Sequence, residues 1–221
     1  MNLFSELFEE YPFSNEKYGH AQFGWGGGME HTTVSFMGNF SSSLIAHELA
    51  HQWFGNKITC GSWKDIWLNE GFATYLSGLV VENFETENSF KSWKQSRINS
   101  ITSQPSGSVY ISNNDTTVAR VFSSRLSYSK GAMVLHMLRK KLGDEPFFQS
   151  LRDYLSDEDL SYGYAKTDDL KSIIEESTAE DVTEFFDDWI YGEGYPSYQI
   201  NWSHNSQGNI NLEASQSQSH S

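Results

Sequence analysis

His47 and His51 stand four positions apart in the segment HELAHQWFGN. Serine favours the start of a helix and glycine its end, so the flanking serines and Gly55 predict a helix over residues 41–55. Positions i and i+4 lie on one face of a helix, so the two imidazoles can bind one cation. The helix also has an apolar side, which predicts packing against a core: Leu44, Ile45, Leu49 and Trp53.

Glu48, directly after the first histidine, is turned aside from the two imidazoles. It is near enough to them to hold a water at the metal and to accept its proton. A catalytic zinc usually keeps three protein ligands and leaves one position open for water. The motif therefore predicts a hydrolytic zinc site that needs one more ligand, a carboxylate or an imidazole from another element.

Glu70 is the candidate for that third ligand. It lies nineteen positions after His51 (70 − 51 = 19), at the start of a second predicted helix, WLNEGFATYLSGLVVENF. By itself an acid in the first turn of a helix is favourable without any metal. The neighbouring side chains are too apolar for a simple exposed turn, which favours the ligand role: Trp67, Leu68, Phe72 and Tyr75.

Composition limits the class of protein. The chain has 221 residues, of which 38% are hydrophobic and 15% aromatic, so it can bury the core of one large globular domain. Its net charge of −14 argues against a nucleic-acid surface. No segment approaches the roughly 18 apolar residues of a membrane span. Cys60 is the single cysteine, which excludes an internal disulfide and leaves the cellular compartment undecided.

The remaining pattern predicts a helix-rich α+β fold. A short helix ends before Pro12, a glycine-dense turn spans 24–28, and an alternating strand runs from Met29 to Met37. Residues 102–125 form a polar loop. Further helices are predicted at Asn88–Ile101, Tyr128–Leu142, Pro146–Leu155, Thr167–Ser177 and Asp181–Tyr191.

Near Gly194 the pattern changes to two alternating strands joined close to Gly208. We therefore expect a catalytic domain at 1–194. Residues 195–221 are then the truncated start of a following β domain, or a tail.

The spacing HExxH, eighteen residues and then Glu inside WLNEG resembles the M1 family of zinc aminopeptidases. GGGMEH, ending at His31, resembles the family motif GxMEN, with histidine where asparagine is commoner. SYSKGAMVLHML resembles the segment that carries the family's active-site tyrosine, here Tyr128. YGEGYP matches the passage out of the catalytic domain. The resemblance covers nearly the whole chain and implies a thermolysin-like zinc metallopeptidase catalytic domain, without the family's N-terminal β domain and C-terminal helical domain.

The resemblance also implies the role of each metal-site residue. One zinc ion per chain is expected on His47, His51 and Glu70. Glu48 is expected to take a proton from water and to pass it to the leaving amine. Tyr128 is expected to donate its phenol proton to the oxyanion.

The same resemblance implies how substrate binds. Glu30 is expected to bind the free α-amine of a peptide, which restricts cleavage to the N-terminus. The backbone of Gly27, Gly28 and Met29 can pair with the peptide as an added strand. The expected partners are thus peptides with a free N-terminus and, in the parent protein, flanking domains. Without those domains we expect the chain to be a poor enzyme, because its cleft is open and wet.

Two departures from the family pattern concern the orientation of the ligands and the binding of the amine. Many relatives carry an acid seven residues after the ligand glutamate, where this chain has Ser77. A hydroxyl is a weaker hydrogen-bond acceptor than a carboxylate, so another group has to orient the ligand. Asp65 is a candidate for that role, and an ordinary acidic residue of a loop is an equally good interpretation of Asp65. In several relatives the N-terminal domain adds a second contact to the substrate amine, which this chain cannot supply.

Three other functions remain open from the sequence. An epoxide hydrolase of the same family shares the metal centre, but needs a long apolar tunnel that the polar 102–125 loop does not suggest. A non-catalytic metal-binding module is expected to lose Glu48 or Tyr128, and both are present. An endopeptidase has no use for Glu30 as an amine anchor.

Overall fold

The computed structural model describes residues 1–112 and 114–220, so Asn113 of the predicted polar loop and Ser221 of the predicted tail lie outside the description. The fold is helix-rich α+β, as predicted. Its helices are α1 Asn2–Leu7, α2 Ser42–Ala50, α3 Trp67–Phe84, α4 Glu87–Ile101, α5 Val118–Val121, α6 Gly131–Leu142, α7 Asp144–Ser156, α8 Thr167–Thr178 and α9 Thr183–Phe186. Its strands are β1 Gly19–Gln22, β2 Gly28–Met29, β3 Val34–Met37, β4 Ile58–Cys60, β5 Gly163–Ala165, β6 Pro196–His204 and β7 Ile210–Gln218.

Helix α3 lies at the centre of the core. Every residue from Trp67 to Leu79 is buried, as expected of a helix that is apolar on all sides. It packs against α2, α4 and α6. Gly71 permits the close approach to α6, because a Cβ there would lie 3.1 Å from the Cα of Gly131. The central position of α3 fixes its N-terminal turn, which carries Glu70, against α2.

The predicted strand from Met29 to Met37 is wrong, because the segment forms two strands. β2 pairs with β3 in antiparallel fashion, and β1 pairs with β3 in parallel, giving the order β1-β3-β2. Between the strands the chain turns at Thr33, whose φ is +66°. A positive φ breaks the extended backbone, although the residue pattern continues to alternate.

The predicted helices differ from the observed ones mainly at their ends. α2 stops at Ala50, and the bonds Gln52 N to Leu49 O (3.1 Å) and Trp53 N to Ala50 O (3.1 Å) tighten the next turn. A π-helix, Ser124–Lys130, precedes α6, and a second, Asp187–Tyr191, follows α9. Within the predicted loop 102–125, residues 118–121 form α5. None of these described helices is long and apolar enough to cross a bilayer.

Strands β6 and β7 form a hairpin that turns near Gly208, as predicted. Nearly all of its side chains are exposed, and one face is apolar: Tyr198, Ile200, Trp202, Ile210 and Leu212. The hairpin is anchored where Ser219 Oγ donates to the carbonyl of Pro105 (2.6 Å) and Tyr195 Oη to that of Thr102 (3.0 Å). A domain boundary near Gly194 remains a prediction.

The buried carboxylate of Asp65 joins the start of α3 to the start of α8. It accepts hydrogen bonds from the Thr167 amide (2.9 Å), the Thr167 hydroxyl (2.7 Å) and the Ser62 hydroxyl (2.6 Å). The Thr167 hydroxyl in turn accepts from Trp67 Nε1 at 3.0 Å. Asp65 therefore has a structural role between two helices.

We predict that Asp65→Ala lowers the free energy of unfolding by about 2–4 kcal/mol, because it leaves buried donors without a charged acceptor. Urea denaturation measures the change. Asp188→Ala, at an exposed position, serves as the control and should stay within about 0.5 kcal/mol of wild type. Equal stability of the Asp65 variant and this control would refute the bridging role.

Candidate active site

His47, His51 and Glu70 converge where α2 meets α3. The Nε2 atoms of the two histidines are 3.1 Å apart, and Glu70 Oε2 lies 3.3 Å from His47 Nε2 and 3.4 Å from His51 Nε2. The Ser41 hydroxyl caps α2 by accepting from Leu44 N at 3.4 Å. The ending of α2 at Ala50 leaves His51 as the cap residue, still in right-handed helical conformation, so the i and i+4 geometry is retained.

These three side chains fit a zinc ion. Glu70 Oε2 is buried and accepts no hydrogen bond from the residues that the structure describes, although a buried carboxylate oxygen normally has a donor. Two imidazole nitrogens and one carboxylate oxygen are a known donor set for catalytic zinc, with a fourth position open. A divalent cation among the three atoms would satisfy Oε2.

The electrostatics of the three residues favour a cation at Glu70 and a proton on His51. Burial opposes charge on His51, but the Glu70 carboxylate outweighs it and raises the pKa of His51 to about 9. Burial lowers the pKa of His47. Burial raises the pKa of Glu70, but His51 and His47 hold it well below the usual range. Glu70 is thus anionic, and a metal ion has to compete with a proton on His51.

The group that orients His51 is a backbone carbonyl. His51 Nδ1 lies 3.1 Å from the carbonyl oxygen of Phe54, which can only accept, so Nδ1 carries the proton of that bond. Ser77 donates to the carbonyl of Thr74 at 2.7 Å. Asp65 is occupied by Ser62 and Thr167. The suggestion that Asp65 orients a ligand is therefore wrong, because its hydrogen bonds go to α8 and the turn before α3.

Glu48 lies beside the metal-ligand set and is 3% exposed. Burial raises its pKa to about 7, with Glu30 and Glu70 adding to the effect and His51 opposing it. Its carboxylate packs directly on Gly28, where any Cβ would overlap it. Glycine at that position therefore makes room for Glu48, which explains one of the glycines in the run before Met29.

Tyr128 reaches the site from the π-helix Ser124–Lys130. Its ring stacks on that of His47, with centroids 5.9 Å apart and an interplanar angle of 10°. Burial and the nearby Glu70 charge raise the pKa of its phenol, which keeps it protonated and able to donate. Wide helical turns of this kind often occur at functional sites.

Glu30 follows β2 and faces the same centre. Carboxylate oxygens of Glu30 and Glu48 and a ring nitrogen of His51 lie within 4.8 Å of one another. The backbone of the Glu30 segment is held by two side chains that follow the histidine motif. Asn56 Nδ2 donates to the carbonyl of Glu30 (2.7 Å), as does Gln52 Nε2 (3.4 Å). Gln52 Oε1 accepts from Thr33 N at 2.9 Å.

Gln52 and Asn56 are two site residues that were not predicted from the sequence. Both lie inside HELAHQWFGN. Their side-chain amides are neither typical zinc ligands nor proton acceptors, so the sequence gives no reason to select them. Gln52 is fully buried, and its role is visible only once the Glu30 segment is seen to turn back on α2. The segment 47–56 thus contains two metal ligands and also hydrogen-bonds the Glu30 segment opposite them.

A cavity of about 740 Å³ joins these groups. Its lining includes every residue that the sequence singled out as metal ligand, proton acceptor, oxyanion donor or amine-binding segment: Gly27, Gly28, Met29, Glu30, His47, Glu48, His51, Glu70 and Tyr128. It also includes residues that the sequence analysis did not select, such as Arg97 and Ser100 of α4, and Phe122 and Ser124. The volume suits a short peptide.

Curated proteins with similar sequences include several named as aminopeptidases. The chain is 40% identical over 164 residues to aminopeptidase M1-A of Oryza sativa subsp. japonica, covering 71% of this chain and 18% of that protein. It is 35% identical over 168 residues to the alanine/arginine aminopeptidase of Saccharomyces cerevisiae, covering 72% of this chain and 19% of the relative. The chain thus spans about a fifth of the length of these curated relatives.

The fold matches solved structures as well. An M1 zinc metallopeptidase from Deinococcus radiodurans, a variant bound to a Tyr-Ser-Ala substrate, superposes with a TM-score of 0.77 at 27% identity, covering 88% of this chain and 43% of that one. The family model described as the peptidase family M1 domain matches residues 29–189, the part that contains Glu30, the histidine motif, Glu70 and Tyr128. The chain therefore belongs to peptidase family M1.

Proposed function

We propose that this chain is the catalytic domain of a zinc-dependent aminopeptidase (EC 3.4.11) that removes the N-terminal residue of peptides. The observation that carries the proposal is the meeting of two groups in one cavity. Three metal-ligand atoms lie within 3.4 Å of one another, and Glu30 lies within 4.8 Å of Glu48 and His51. A hydrolytic centre and a carboxylate able to select a free amine are thus side by side.

The metal site is proposed to hold one zinc ion per chain through His47 Nε2, His51 Nε2 and Glu70. When bound, zinc supplies Lewis acidity, which lowers the pKa of water and polarises a carbonyl group. The protein's part is to keep the three donors close and buried. The Phe54 carbonyl fixes the His51 ring, so that its Nε2 faces Glu70.

Glu48 is proposed to move the proton. Its pKa, raised to about 7 by burial, suits a group that accepts a proton from water and later returns it to the leaving amine. Tyr128 is proposed to donate its phenol proton in a hydrogen bond to the oxyanion of the tetrahedral intermediate. Its stacking on His47 places this donor next to the metal ligands.

Substrate is proposed to bind as an added strand. β2 is an edge strand, because β3 pairs with only one side of it, and Gly28 and Met29 line the cavity. An extended peptide can pair with such an edge through its backbone. Glu30, the next residue, then meets the ammonium group of the peptide and sets which bond lies at the metal.

The alternatives have less support. An epoxide hydrolase of this family needs a long apolar channel, whereas this cavity is bordered by carboxylates, hydroxyls and a guanidinium. A non-catalytic metal module does not require Glu48 and Tyr128 beside the metal ligands. An endopeptidase binds an internal peptide bond, which offers no ammonium group to pair with the Glu30 carboxylate in the cavity.

We predict that Glu48→Gln lowers kcat by about 10²–10⁴-fold in the intact protein, because an amide cannot accept the proton of water. Zinc content, measured by plasma mass spectrometry, should stay at the wild-type level. Glu87→Gln, at an exposed pair with Lys91, is the matched control and should change neither value. Full activity of the Glu48 variant would remove Glu48 from the proton-transfer role.

We predict that Glu30→Gln lowers kcat/KM by about 10²-fold for peptides with a free N-terminus, because it removes a charge pair in a partly desolvated cleft. Zinc content should not change. An N-acetylated peptide should be a poor substrate for wild type and should lose little more in the variant. An equal fractional loss on free and acetylated peptides would show that Glu30 does not act as the amine anchor.

A further inference from the structure

Helix α4 presents two buried hydrogen-bond donors that have no acceptor. Trp93 Nε1 and Arg97 Nε, one helical turn apart, make no hydrogen bond with any residue that the structure describes. The guanidinium of Arg97 lies over the Trp93 ring, 5.2 Å from its centroid, and Arg97 lines the active-site cavity. Arg97 therefore adds a positive charge and an unpaired donor to the cavity wall, with the Trp93 ring packed against its guanidinium.

A partly buried guanidinium without an anion is unusual. Among the other partly buried arginines, Arg139 pairs with Glu82 and Asp144. Arg120 donates through Nη2 to backbone carbonyls, although its Nη1 has no acceptor among the described residues. Arg97 forms neither an ion pair nor a hydrogen bond in residues 1–112 and 114–220. Burial lowers its pKa, with no carboxylate close enough to raise it. The fold thus leaves the acceptor for Arg97 to a molecule that enters the cavity.

The position of Arg97 separates it from the amine anchor. Arg97 is on α4, whereas Glu30 directly follows β2. α4 packs on α3 and on the π-helix Ser124–Lys130, whereas β2 packs on α2 and β3. Thr74, one turn after Glu70 on α3, lines the cavity with Arg97.

A bound peptide therefore runs from β2 towards α4. This step rests on the proposed function: with the α-amine on Glu30 and the scissile carbonyl at the metal ligands, the leaving part lies away from β2. The walls on that side include residues of α3, α4 and the π-helix, where Arg97 and Ser100 offer donors.

We propose that Arg97, supported by Trp93, forms a subsite for a carboxylate on the leaving side of the peptide. The carboxylate is either the free C-terminus of a short peptide or an acidic side chain after the scissile bond. A planar guanidinium can bind either one with two parallel hydrogen bonds. The cavity then binds a short peptide at two charged groups: Glu30 pairs with the ammonium group and Arg97 with the carboxylate.

The kinetic test compares substrates in the intact protein. Ala-Ala-Ala is compared with its C-terminal amide to test a carboxylate at the C-terminus, and Ala-Glu-amide with Ala-Gln-amide to test one on the side chain. Alanine p-nitroanilide has no carboxylate. Arg97→Gln should lower kcat/KM for carboxylate-bearing substrates by about 10–10²-fold, mainly through KM, and should change p-nitroanilide turnover less than twofold. Arg97→Lys should restore part of the loss. Lys94→Gln, on the same helix over Phe90, is the control and should have no effect.

Equal losses on all five substrates would make Arg97 a structural residue and overturn the proposal, as would no loss on any. A binding measurement separates this failure from failure of the proposed function. By calorimetry, N-acetyl-Ala-Ala should bind wild type about tenfold more tightly than its amide, and the two should bind Arg97→Gln equally. Equal binding of both ligands to wild type would overturn the subsite, whether or not the protein hydrolyses peptides.

Discussion

The convergence of His47, His51 and Glu70 is the constraint on which the rest of the structure depends. Three ligand atoms within 3.4 Å require α2 and α3 to pack closely, and they leave a buried Glu70 oxygen without a hydrogen-bond donor. A buried carboxylate is costly unless a cation compensates it. The apolar burial of α3, together with the contact between Gly71 and Gly131, provides the rigid support that keeps these atoms together.

The histidine motif also organises the opposite wall of the cavity. Gln52 and Asn56 hold the backbone of the Glu30 segment, and the Glu48 carboxylate packs against Gly28. Ten consecutive residues, 47–56, thus supply two metal ligands, the proposed proton acceptor and the clamps on the proposed amine anchor. A change in the path of α2 would move all of these groups together.

The sequence predicted best what depends on local periodicity. The i, i+4 histidines and the apolar face of the second helix led to α2 and α3, and hence to His47, His51 and Glu70. Alternation of residue types could not reveal the turn at Thr33, because a positive φ leaves no mark in hydrophobic pattern. Nor could it reveal the π-helix before α6, which carries Tyr128.

Long-range contacts explain the other differences. Asp65 was a candidate for orienting a ligand, and its partner Thr167 is 102 positions away in the chain. Arg97 was not identified, because the sequence does not show which arginine is left with neither an ion pair nor a hydrogen bond to the described residues. His51 is oriented by a backbone carbonyl, a group that every residue type has, so the sequence could not identify it. Such groups can be found only from the packed structure.

Metal analysis tests the central claim most directly. We expect one zinc ion per chain in the purified protein, and less than a tenth of that amount in His51→Ala after dialysis against a weak chelator. The control Lys94→Gln should retain the full amount. Undiminished zinc in His51→Ala would contradict the assignment of the metal site to His47, His51 and Glu70.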